Sequence, residues 1–153
     1  MNHALGEVPE WVPVLGAELP GAVDAQADRA EVERRAVELR LPAVRWPEPF
    51  PFDSRTAMLA ATFAKQSGRT VAFSLAAMRQ AFAAGRDLSE TDNVLLAAAA
   101  CELHPRALLK GIETRSVRDA LAESTAAAGA RGVRELPAVD YGERLAQGPD
   151  ALG

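Results

Sequence analysis

The segment Glu135-Leu136-Pro137-Ala138-Val139-Asp140-Tyr141-Gly142-Glu143-Arg144-Leu145 ends a long Ala-rich run and changes the character of the chain. Two short alternating segments flank Gly142, which is the pattern of a β-hairpin. A hairpin alone is marginal in water, because it has no sheet against which to bury a face. The fold therefore turns on where the rest of that sheet lies.

Working outward, Glu10-Trp11-Val12-Pro13-Val14-Leu15-Gly16 has strand composition, and Pro13 places it at an edge or marks its end. Asp28 to Leu39 reads as a charged helix with a modest apolar face of Ala30, Val32, Ala36, Val37 and Leu39. Its Glu31-Val32-Glu33-Arg34-Arg35 run reads as a solvated face. Leu41 to Phe52 carries four prolines and forms an extended connector. Asp53 or Ser54 caps a helix through Gln66, with Ala57, Met58, Ala61 and Phe63 facing inward and Gly68 stopping it. Val71 to Ala84 repeats the pattern with Phe73, Leu75, Met78 and Phe82 until Gly85. Ser89-Glu90-Thr91-Asp92 resembles a capping box, with Asp in place of Glu, opening a helix through Val94, Leu95, Leu96 and Ala99. Pro105 starts a short helix to Gly111, and Ser116 caps a last one to Ala128 with Val117, Ala120, Leu121 and Ser124 on one stripe. A β-segment at the start and a hairpin at the end, with a five-helix cluster between them, predict an α/β sheet interrupted by a helical domain.

At 153 residues the chain is one domain's worth and can bury a core. Its hydrophobic fraction is 48% but aromatics are only 5%, and Ala supplies much of the rest, which favours closely packed helices over a β-sandwich. The net charge of −4 offers no basic surplus to neutralise phosphates, so neither nucleic acid nor an anionic membrane is an expected partner. The longest apolar run, Val94 to Cys101, is too short to span a bilayer, and Glu7 and Glu10 are out of place in a signal peptide. The single cysteine rules out an internal disulfide or a CxxC pair within this sequence. These features predict a soluble, cytoplasmic protein.

Five pieces occur in an order that resembles the DsbA-like thioredoxin superfamily, in the branch of 2-hydroxychromene-2-carboxylate isomerases and kappa-class glutathione transferases. They are Pro13-Val14-Leu15-Gly16, Phe50-Pro51-x-Asp53-Ser54-x-x-Ala57-Met58, Gly85-Arg86-Asp87-Leu88-Ser89, Gly132-Val133-x-x-Leu136-Pro137 and Gly148-Pro149-Asp150. The likeness runs from Trp11 to Leu152. It implies a helix-dominated α/β fold, with a thioredoxin-like sheet from residues 1–20 and 130–153. The helical insertion would cover 21–129, connector 41–52 included. In such folds the reactive Cys or Ser sits between an opening strand and helix. Met1 to Glu7 looks like only the tail of that helix. The expectation is thus an N-terminally incomplete sheet, missing an arm of roughly 30 residues, with no catalytic residue in this chain and low activity.

The resemblance also assigns candidate binding residues. It implies a cis bond at Leu136–Pro137, a linkage that usually shapes a tight functional turn, and has Leu136 present its backbone to a thiol substrate. Glu135-Leu136 departs from the family's Gly-Val and puts a charge at the rim. Asp150 is implied to pair with the γ-glutamyl ammonium of glutathione, a charge-assisted bond that a carboxylate near a helix start supports. Read without the resemblance, it is a helix N-cap. Ala146-Gln147 stands where relatives often carry aromatics, so the pocket should be less apolar. Asp53 and Ser54 fall where relatives line the opening between subdomains, and by themselves they read as a helix cap.

Cys101 in LLAAAACEL reads as a small buried hydrophobe, without positive charge to activate it. His104 reads as a helix-start residue, and with His3 it makes no metal spacing, so no metal is expected. The implied function is a DsbA-family oxidoreductase or glutathione-dependent isomerase. Its partners would be glutathione, a similar thiol molecule or a thiol-containing protein. The alternative is a non-catalytic helical interaction module of the same descent, with homodimerisation shielding an unpaired strand edge. A DNA-binding helical regulator is disfavoured by the charge and the hairpin.

Overall fold

Small side chains let helices approach closely, and the core is built on that property. The computed structural model describes residues 8–22 and 28–151. Its helices are α1 (Arg29–Glu38), α2 (Arg55–Gln66), α3 (Thr70–Phe82), α4 (Thr91–Ala100), α5 (Pro105–Glu113) and α6 (Arg115–Arg131). A two-stranded antiparallel sheet follows, β1 (Ala138–Asp140) with β2 (Leu145–Gln147), in the register Ala138 to Gln147 and Asp140 to Leu145. Helix α2 lies at the centre, touching α3, α4, α5 and α6. Ala57, Ala60, Ala61 and Ala64 of α2 are buried with Phe73, Val94 and Leu108. Gly111 of α5 leaves room for the Phe63 ring of α2, which a Cβ there would strike.

Several local expectations are corrected. Ser116 is not the cap of α6; Thr114 is, its hydroxyl accepting from Val117 N–H at 3.3 Å. Both residues are good caps, and the Gly111–Thr114 turn decides between them. No capping box forms at Ser89. The side chain of Asp87 instead accepts from Ser89 N–H at 2.8 Å, and α4 starts after Glu90. In α3 the buried face is Phe73, Ala76, Ala77 and Ala81, which turns Leu75 and Met78 out to solvent. Helix α1 buries only Ala36, and Val37 is 77% exposed. The Pro-rich connector holds α1 through its aromatics: Arg29 lies over Trp46 and Phe50, and Trp46 Nε1 donates to Glu33 at 2.8 Å.

The largest correction concerns the sheet. Among the described residues it has two strands, and Glu10 to Leu15 is extended without pairing to either. That segment packs on a helix instead. Leu15 N–H donates to Thr125 Oγ1 at 3.0 Å, and Ser124 Oγ donates to Pro13 C=O at 2.7 Å. The hairpin also rests on α6, where Arg131 holds Asp140 through two hydrogen bonds of 2.8 and 3.0 Å. The first-helix tail expected at Met1 to Glu7, together with His3 and Leu152, lies outside the described residues.

Candidate functional site

A 3-10 turn, Gly16–Glu18, joins the extended segment to the rest of the site. Buried Leu15 and Leu19 fix it from both sides. Gly16 lies against Leu136: a Cβ at Gly16 would sit 3.2 Å from Leu136 Cδ1. Two residues on, Glu18 forms an ion pair with Arg55 at the start of α2. The turn thus touches both the loop before the hairpin and the helix that Asp53 and Ser54 introduce.

Asp53 is exposed, and its Oδ1 accepts from Arg55 N–H at 2.9 Å, a local bond that rigidifies the helix start. Ser54 occupies the N-cap position without a side-chain cap bond, while its carbonyl accepts from Met58 N–H. Both therefore serve α2 directly.

Leu136 stands out. It is 41% exposed, and its peptide bond to Pro137 is cis, as are Glu48–Pro49 and Phe50–Pro51. Among the described residues its own N–H and C=O have no hydrogen-bond partner. Two side chains hold the loop in front of it: Arg134 Nη1 donates to Gly129 C=O and Val133 C=O, both at 2.9 Å, and Gln147 takes its amides. Gln147 Oε1 accepts from Arg134 N–H at 2.8 Å and Glu135 N–H at 3.1 Å. The Glu135 carboxylate lies over Gly148, where a Cβ would come within 2.8 Å of it. Gln147 was legible only as a departure from an aromatic; its clamp on the loop has no local sequence signal.

Asp150 follows Gly148 by two residues, in a turn closed by Ala151 N–H donating to Gly148 C=O. Its side chain is 87% exposed, and its Oδ1 accepts from Arg35 Nη2 at 2.9 Å. Arg35 Nη1 also donates to Pro149 C=O at 3.2 Å. The Glu31–Arg35 run is thus only partly a solvated face: Arg34 pairs with Glu31 and Glu38 on α1, whereas Arg35 reaches across to the C-terminal turn.

Residues 21–152, the helical cluster and the C-terminal hairpin, match the family of the DSBA-like thioredoxin domain. The chain belongs to that family. The DSBA-like domain is also similar to the solved structure of a 2-hydroxychromene-2-carboxylate isomerase, with a TM-score of 0.72 and 17% identity over 81% of this chain. It spans 60% of that isomerase's length. No curated protein matches the domain. The likeness fixes the fold as thioredoxin-like with a helical insertion.

Other features of the DSBA-like domain bear on chemistry. Cys101 is buried, its Sγ donates to Ala98 C=O at 3.3 Å, and burial pushes its thiol up from the usual range. It behaves as core. A shallow cleft lined by Glu10, Trp11, Lys65, Arg69, Val71 and Leu75 includes none of the five candidate residues. Among the described residues no group of three or more His, Cys, Asp or Glu side chains is placed to hold a metal, and no helix is long and apolar enough to cross a membrane.

Proposed function

We propose that this domain is the substrate-aligning part of a thioredoxin-like disulfide oxidoreductase or glutathione-dependent isomerase, acting on glutathione, a similar thiol or a thiol-bearing protein. The observation that carries the proposal is the DSBA-like match over residues 21–152. The Leu136–Pro137 turn supports it, because the unpartnered backbone of Leu136 offers one donor and one acceptor to an extended thiol peptide. Asp150 extends the same site: Arg35 occupies its Oδ1, and Oδ2 takes an ammonium. The reading also takes in Asp53 and Ser54, whose helix start the Arg55–Glu18 ion pair ties to the turn that lies against Leu136. The sulfur comes from the ligand, since Cys101 is the only cysteine and is buried. Alone, the domain turns over slowly. A glutathione-linked reaction belongs in the reducing cytoplasm.

A second reading is a non-catalytic interaction module. It is favoured by the apolar side chains that α3 exposes, Val71, Leu75 and Met78.

Titration with glutathione, followed by Trp11 and Trp46 fluorescence, tests the first reading. Saturation at millimolar ligand, weakened about tenfold in Asp150→Asn by loss of a charge-assisted bond, supports it. Silence at millimolar ligand in the parent chain favours the interaction module. Robust insulin reduction by this chain without added thiol contradicts the proposed source of sulfur.

A further inference from the structure

We draw no further inference here: the strongest candidate, the exposed stripe of Val71, Leu75 and Met78 along α3, is an unpartnered apolar face, and nothing in the structure shows what covers it.

Discussion

Leu15 and Thr125 lie 110 residues apart, and the amide of the first donates to the buried hydroxyl of the second at 3.0 Å. This bond fastens the extended segment to α6. Thr125→Val keeps the volume but leaves the Leu15 N–H buried without an acceptor, which costs about 1–3 kcal/mol. Thr125→Ser keeps the acceptor and loses much less. Urea denaturation of both variants checks the difference, and the Leu15 amide should exchange faster only in the valine variant.

Gly111→Ala sets two effects against each other. Alanine improves helix propensity by about 1 kcal/mol, whereas overpacking a core typically costs about 1–3 kcal/mol. The new methyl meets the Phe63 ring near its stem as well as its edge, so the ring cannot swing clear. The substitution should therefore lower the melting temperature. Adding Phe63→Leu should recover part of the loss.

Asp140 gives the hairpin an acid limit. Hydrogen bonding from Arg131, helped by the Gly142 N–H, holds its carboxyl below the ordinary carboxylate range. A depressed folded-state value means the stabilisation is complete above the unfolded value, about 3.9, and is lost as pH falls toward the folded one. Arg131→Gln should raise the Asp140 value measured by NMR titration. Asp140→Asn should flatten the acid dependence of hairpin amide exchange.

Cys101 titrates in the opposite sense. Burial raises its thiol, so the stabilisation it confers is present below the unfolded value and lost as pH climbs through the folded one. Labelling by a thiol reagent in mild alkali should track global unfolding, and a destabilising variant such as Thr125→Val should accelerate it in proportion. Fast labelling of the stable native chain would contradict a core role.

The hairpin was legible because Gly142 interrupts an alternating pattern, and most helix limits were legible because Pro105, Gly68 and Gly85 punctuate them. The inward face of α3 was not. Ala76, Ala77 and Ala81 carry the packing there, and small residues give a weaker hydrophobic signal than the Leu75 and Met78 they displace. At the candidate site, Asp53 and Ser54 could be placed at a helix start, and Leu136 in an exposed turn. The Arg35–Asp150 pair and the Gly16–Leu136 contact join residues more than a hundred positions apart, and no local pattern encodes such a meeting.

Gln147 replaces what a neighbouring strand does in an ordinary sheet, since a single amide oxygen satisfies two successive main-chain donors ahead of Pro137. The contour of that rim is consequently written in a removable group and not in the ladder. Changes at this one codon can recontour the rim while the helical bundle stays as it is, so the shape of this loop can drift independently of the core that carries it.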